Sequence, residues 1–445
     1  MTRELILGIL LEVTRDGEYS HIALRNVLNK YQYLDKKERA FITRVTEGTL
    51  EHMIEIDYII NQFSKVKVNK MKPVIRCIMR SAVYQLKYMD SVPDSAVCNE
   101  AVKLAMKKGF HTLKGFVNGV LRNIARNLDN ITYPDKTDYV NYLSIRYSMP
   151  TWILGQWLAD YEKETVETML EDFLKEKPTT IRCNLSQCTK EELTRSLEKE
   201  GVHVENHPYL PYALWITSYD YLADLESFEK GMFYVQDISS MLVAHIANPK
   251  EGDYIIDVCA APGGKSLHMA ELLHGTGHVE ARDLTDYKVN LIQENIFRSG
   301  TVNMEAVRQD ATVLDEASVE KADIVVADLP CSGLGVLGKK TDLKYKMTEE
   351  TQAELVLLQR DILSKVQAYV KPNGTLIYST CTIHKGENME NVHWFLKQYP
   401  GFELVPIREN LCKDLQKSVQ EEGCLQLLPG VHQSDGFFIA KFRKM

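Results

Sequence analysis

The feature that most constrains this chain is a change of period at Tyr254. Before it, apolar residues recur mostly at three- and four-residue spacing; after it, they gather in short runs that close on small or polar residues. Tyr254-Ile255-Ile256-Asp257-Val258 reads as a buried strand, followed by glycines and a helical run from Ser266 to Leu273. Val279-Glu280-Ala281 precedes a second helix from Tyr287 to Arg298. The runs from Ala322 to Ala327 and from Gly374 to Ser379 are further strands, the latter preceded by a long helix from Gln352 to Val370, and residues 436–442 form a last strand. Short strands separated by helical runs predict a mostly parallel, doubly wound sheet of Rossmann-like type.

Residues 1–130 have a different character. Ile6, Ile9, Leu10 and Val13 make one helical stripe, Ala23, Val27 and Leu28 another, and Ile75, Ile78, Met79, Ala82, Val83 and Leu86 a broad apolar face. Gly48 stands as an interruption in the run from Phe41 to Ile59, and Pro93 ends the helix before it. This is an all-α domain. Residues 131–155 read as a connector limited by Pro134 and Pro150, and a helical rhythm returns from Trp152 to Phe173. Thr179-Thr180-Ile181 and a helix from Glu191 to Lys199 point to a small α/β region. The expected domains are therefore 1–130, 131–235 and 236–445, a natural division for 445 residues.

Charge sharpens the division. The whole chain carries a formal −8, yet residues 1–130 hold 21 Lys and Arg against 14 Asp and Glu, a net +7 that leaves −15 for the rest. A basic module on an acidic partner can still dock on a phosphate backbone, because the local field governs that contact. No apolar run is long enough for a membrane span, and no signal-peptide pattern opens the chain. Nine scattered cysteines fit neither a disulfide framework nor a zinc ribbon, so no metal is expected and a reducing cytoplasm is.

Two places carry chemistry. Cys259-Ala260-Ala261-Pro262-Gly263-Gly264-Lys265 follows Asp257 where the first strand of the sheet turns into a helix, and small residues there let a ligand approach the backbone. The spacing is neither that of a P-loop nor Gly-x-Gly-x-x-Gly. Asp283, 26 residues beyond Asp257, stands just past the next strand, where a carboxylate can accept ribose hydroxyls, and Asp310 is placed for an adenine amino group. Together these suit a nucleoside cofactor.

The second place is a pair of strand ends. Asp328-Leu329-Pro330-Cys331-Ser332-Gly333 closes one strand and Ser379-Thr380-Cys381-Thr382 another, so both cysteines project over the rim that receives the cofactor. Carbon 5 of cytosine is a poor nucleophile until a thiolate adds to carbon 6, which is covalent catalysis. The proton on carbon 5 must then leave, and Asp328 is placed for the cytosine edge, accepting from the exocyclic amine while donating, if protonated, to ring nitrogen 3. Such a base has to be single-stranded or flipped out of its helix.

These motifs resemble the signatures of the Sun/NOL/NOP family of RNA 5-methylcytosine methyltransferases. The helical domain, with Arg80-Ser81-Ala82-Val83-Tyr84-Gln85-Leu86 and Val92-Pro93, resembles the transcription antitermination factor NusB. Phe233-Tyr234-Val235-Gln236-Asp237, Leu428-Pro429-Gly430 and Asp435-Gly436-Phe437-Phe438 extend the likeness over nearly the whole chain. The resemblance implies a class I methyltransferase using S-adenosyl-L-methionine. Cys381 would be the nucleophile, Cys331 would assist proton removal and product release, and Asp328 would read the cytosine. Cys259, Ala260, Ala261, Pro262, Gly263, Gly264, Lys265, Asp283, Lys288, Asp310 and Asp328 would line the cofactor site. It also implies a monomer acting on 16S ribosomal RNA, naked or in an early assembly particle, at nucleotide 967. Lys339-Lys340-Thr341-Asp342-Leu343-Lys344 stands where relatives carry an arginine-rich RNA-contacting stretch with proline, and Leu329 replaces a commoner alanine. Two other readings are the same chemistry on transfer RNA, and a non-catalytic RNA-binding or antitermination factor; the intact loop and both cysteines favour the ribosomal RNA enzyme.

Overall fold

The computed structural model describes residues 1–445. The chain divides into two compact units, Met1–Leu174 with Leu337–Thr348 and Lys175–Val336 with Glu349–Met445. No helix is long and apolar enough to cross a membrane.

The first unit is helical. Its central helix, Pro73–Tyr88, begins with a proline where the missing amide costs no hydrogen bond, and buries Ile75, Ile78, Met79, Ala82, Val83 and Leu86. Arg80 forms a two-pronged ion pair with Asp57 at 2.7 and 2.6 Å, and Gln85 accepts from Arg3 at 3.1 Å. Gly48 does not interrupt its helix, which runs unbroken over Lys36–Glu51. A Cβ at that position would lie 2.1 Å from Cζ of Tyr84, so glycine is there to admit a neighbouring ring. The stretch read as a connector also contains a helix, Tyr139–Arg146. Pro134 and Pro150 flank it without entering it, and Pro150 sits at the N-cap of the next helix, Thr151–Asp160.

The segment Leu337–Thr348 also belongs to this unit. Its resemblance to an RNA-contacting stretch holds only in part. Lys344 is buried and its Nζ donates to the carbonyl of Glu51 at 2.9 Å; Asp342 is buried too, accepting from Ser20 Oγ at 2.6 Å. Lys340 remains exposed. The change from exposed charge at Lys339 and Lys340 to buried charge at Asp342 and Lys344 is set by packing, which composition does not reveal.

The second unit holds two sheets. The smaller is antiparallel: β1 (Thr179–Cys183), β2 (His203–Asn206), β3 (Ala213–Thr217) and β4 (Phe233–Val235), in the order β2-β3-β1-β4. The helix Lys190–Lys199 opens with a capping box between Thr189 and Glu192 and buries Leu193 and Leu197 against Ile181, Leu214 and Phe233.

The larger sheet comprises β5 (Tyr254–Asp257), β6 (His278–Asp283), β7 (Met304–Arg308), β8 (Ala322–Asp328), β9 (Val370–Thr380), β10 (Phe402–Leu404), β11 (Val419–Glu421), β12 (Cys424–Leu427) and β13 (Phe437–Lys444). Its order is β11-β12-β13-β9-β8-β5-β6-β7, with β10 on β13. The five strands from β9 to β7 run parallel and the other four pair antiparallel. Side chains alternate between two cores. Ile255, Val326, Ile377 and Ile439 pack with the helices Ile238–Ala247, Gly264–Leu272 and Asp286–Ser299. Ile256, Val325, Leu376 and Phe438 pack with Glu349–Val366 and Met389–Gln398. Both faces are covered, as a parallel sheet demands. Leu329 simply joins the second of these cores.

Candidate active site

The order β9-β8-β5-β6 reverses direction of winding at β5 and β8, and the carboxyl ends there form the crevice where open α/β sheets take ligands. The residues picked out from the sequence converge on it. Asp257, at the end of β5, is buried and accepts from Ser266 Oγ at 2.6 Å; burial pushes its carboxyl up to about 7, against the pull of that hydrogen bond. It braces the loop from within. Gly263 takes a left-handed φ of 103° at the N-cap of the helix Gly264–Leu272, whose first turn has no capping side chain. A Cβ on Gly264 would meet nothing nearer than 3.8 Å, so that turn is open to a ligand.

Asp283, at the end of β6, accepts from the amides of Ala261 at 3.0 Å and Leu284 at 2.8 Å and pairs with Lys288 at 3.0 Å. It ties the loop to the neighbouring strand. Asp310 uses one oxygen, Oδ1, to accept from both the amide and hydroxyl of Thr312, leaving Oδ2 to accept from a ligand. Cys259 is a different case: burial, with Asp257 and Asp283 nearby, raises its thiol far above the ordinary range. It lines the loop as an inert thiol.

Asp328 lies beside Ser379 in the β8/β9 register. Its Oδ2 pairs with Lys265 Nζ at 2.7 Å and its Oδ1 accepts from Ser379 Oγ at 2.7 Å. Both partners donate, so Asp328 meets each of them as an acceptor. Burial would lower the Lys265 ammonium, but Asp328 outweighs it and leaves it raised, with Asp257 and Cys381 adding negative potential.

The thiols of Cys331 and Cys381 are 3.1 Å apart, and the amide of Cys381 donates to the sulfur of Cys331 at 3.2 Å. The hydrogen bond with Cys381, then burial, pushes the Cys331 thiol well above its usual range.

Three family models match this chain: NusB over residues 1–126, an RsmF/B-like ferredoxin-like domain over 149–220, and 16S rRNA methyltransferase RsmB/F over 244–443. A probable ribosomal RNA small subunit methyltransferase B of Bacillus subtilis is 35% identical, covering 99% of this chain and 98% of the relative. The chain belongs to the 16S rRNA methyltransferase RsmB/F family. A Synechocystis relative bearing the same description is 32% identical over 99% of both chains. Among solved structures, PH0851 is 26% identical with a TM-score of 0.83, covering all of this chain and 98% of that one. A methyltransferase homolog protein from Pyrococcus horikoshii is 25% identical with a TM-score of 0.59, over 69% of this chain and 99% of its own.

Several contacts that this RsmB/F member brings to the site, and the residues Glu387, Gln359 and Asn388, escaped the sequence reading. Ser332 and Thr382, each following a cysteine, share a hydrogen bond of 2.8 Å. Glu387 is fully buried beside them and accepts from Ser332. Gln359 and Asn388 complete the cluster. The signal available was Glu387-Asn388, a polar pair six residues after Cys381, immediately before the apolar stripe of the next helix.

Proposed function

We propose that this chain methylates carbon 5 of cytosine 967 of 16S ribosomal RNA through a covalent bond between Cys381 and carbon 6. The coarser activity comes with the family: it is an S-adenosylmethionine-dependent rRNA cytosine-C5 methyltransferase. The observation that supports the covalent route is the 3.1 Å contact of two thiols just past the ends of adjacent parallel strands, with the Lys265–Asp328 pair on the same strand end.

The residues present fit the cofactor. The open, uncapped turn at Gly263 and Gly264 would receive its amino-acid end, Asp283 its ribose and Asp310 its adenine, with Cys259, Ala260, Ala261, Pro262, Lys265, Lys288 and Asp328 around it. Bound S-adenosylmethionine supplies an electrophilic methyl group on a sulfonium. Of the two thiols, Cys331 is the one whose thiol form is favoured, by its hydrogen bond with Cys381 and by burial; Cys381 is the nucleophile and reacts as its thiolate. Its sulfur bonds to carbon 6, the C5=C6 pair moves to carbon 5, and carbon 5 becomes the nucleophile. Asp328 accepts from the exocyclic amine and orients the ring. Once Cys381 is bonded to carbon 6 it no longer accepts from Cys331, whose thiol gives its proton to solvent and becomes a thiolate. It then takes the carbon 5 proton, the C5=C6 bond re-forms and Cys381 leaves.

The assignment extends to the whole chain: a NusB-like docking module at 1–130, a linker and small RNA-contacting subdomain at 131–235, and a catalytic domain at 236–445. The protein acts as a cytoplasmic monomer on naked or early-assembly RNA. Incubation with labelled cofactor and an unmodified 16S transcript, followed by mapping of the product, should give one 5-methylcytosine at 967. Label elsewhere in 16S RNA overturns the position; label only in transfer RNA overturns the substrate.

A further inference from the structure

Neither cysteine sits in a regular ladder. Each lies in the loop that follows a strand, where flanking peptide groups need partners from elsewhere. On the Cys331 side those partners lead to one carboxylate. Glu387 Oε2 accepts from the amide of Ser332 at 2.8 Å and from Gln359 Nε2 at 3.0 Å, and Oε1 accepts from Ser332 Oγ at 2.5 Å. The same Gln359 nitrogen donates to the carbonyl of Pro330 at 2.9 Å. The residues before and after Cys331 are thus held by Glu387, one directly and one through Gln359.

On the Cys381 side the next residue does the equivalent work. Asn388 Oδ1 accepts from Thr380 Oγ1 at 2.5 Å, and its Nδ2 donates to the carbonyl of Thr382 at 3.0 Å. Thr380 and Thr382 flank Cys381. Consecutive residues of one turn therefore clamp the two cysteines, one each.

Stability alone does not call for such a device. Glu387 is fully buried, and the nearest basic group is His384 Nδ1 at 3.4 Å. No lysine or arginine pairs with it, and burying a carboxylate is costly even when its hydrogen bonds are made. What the arrangement secures is geometry: the Sγ atoms stay 3.1 Å apart although they belong to different loops.

We propose that Glu387 and Asn388 are positioning residues with separate duties, Glu387 holding Cys331 for product release and Asn388 holding Cys381 for attack on carbon 6. This rests on the two-cysteine reading given above. In release, the electron pair of the C5–H bond re-forms C5=C6, Cys381 departs from carbon 6 with its bonding pair, and the proton passes to the thiolate of Cys331. Displacing Cys331 slows only that step; displacing Cys381 slows bond formation before it.

The test uses the full chain, labelled cofactor and an unmodified 16S transcript, with Cys331→Ala run in parallel. Glu387→Gln should leave first-turnover methyl transfer within about threefold of the parent, while steady-state turnover drops about 100-fold and a protein–RNA adduct persists on a denaturing gel. Asn388→Ala should slow the first turnover about 100-fold with no adduct. Should Glu387→Gln fail to fold, Gln359→Leu removes the carboxylate's link to Pro330 and should give the same adduct at a lower level; a folded Gln359→Leu protein without adduct overturns the proposal. Equal slowing of both steps by both variants also overturns it, because a merely structural role would not split them. An adduct with Cys331→Ala but not with Glu387→Gln sinks the positioning role alone. No adduct with Cys331→Ala removes the two-cysteine reading and the proposal with it.

Discussion

Ser332 Oγ and Thr382 Oγ1 lie 2.8 Å apart, joining the residue after one cysteine to the residue after the other. The two strand-end loops are therefore one structure. Gly335 adds to the join by donating its amide to the carbonyl of Cys381 at 3.1 Å. Small displacements in either loop change the distance between the thiols, and the chemistry proposed for them depends on that distance.

Exchange of the cysteines separates their roles. Cys381→Ala should abolish methyl transfer while the cofactor dissociation constant, measured by calorimetry, stays within about twofold of the parent, since its sulfur enters only the chemical step. Cys331→Ala should form the RNA adduct and fail to release it, giving a shifted band on a denaturing gel. A Cys381→Ala protein that still methylates RNA would show the nucleophile to be elsewhere.

The Lys265–Asp328 pair should behave as a unit. Lys265→Met leaves a partly buried carboxylate without its cation, and loss of one member of a buried pair typically costs about 3–5 kcal/mol. With Lys265 16% and Asp328 23% exposed, solvent screening puts the effect at the lower end or below. The expected outcome is a drop of about 100-fold in kcat/KM, a smaller one for Asp328→Asn, and a double variant no worse than Lys265→Met. Additive losses in that cycle would mean that the two side chains act independently.

Lys344 gives the first unit a pH signature. Burial lowers its ammonium to about 7. Between that value and the ordinary lysine range near 10.4 the unfolded chain binds one more proton than the folded one, so stability rises with pH across this window. Below about 7 both states are protonated and the contribution to the slope disappears. Melting temperatures of the parent and of Lys344→Met, followed from pH 6 to about pH 10, should diverge in slope above pH 7. Parallel curves would show that Lys344 stays protonated in its pocket.

Gly48→Ala should destabilise the first unit by about 1–3 kcal/mol, the usual penalty for overpacking, because the new methyl group collides with the ring of Tyr84. Pairing it with Tyr84→Ala should recover part of the loss in a denaturant titration. A neutral Gly48→Ala substitution would mean that the ring moves aside at no cost.

Much of this was legible from the amino acids. The period change at Tyr254 gave the parallel strands β5, β6, β8 and β9 and the helices between them, because a strand buried on both faces is a nearly continuous apolar run. Asp257, Asp283, Asp328, Cys331 and Cys381 were readable because each stands where a strand stops, and strand ends are set by local pattern. β7 was missed: Met304–Arg308 buries only Met304, with Ala306 and Val307 half-buried between Glu305 and Arg308, as suits an edge strand. β10, β11 and β12 are three or four residues long, too short for periodicity to register.

The sequence by itself determined where the motif residues stand and which strand each one follows, since strand, turn and helix follow from neighbours along the chain. Tertiary structure alone decided the thiol contact, the Lys265–Asp328 pair, the burial of Lys344 and the clamp at Glu387 and Asn388. Most of those depend on strand order and on groups far apart in the chain meeting across packed layers, 50 positions for the two thiols and 293 for Lys344 and Glu51, and no local pattern encodes a distance in space.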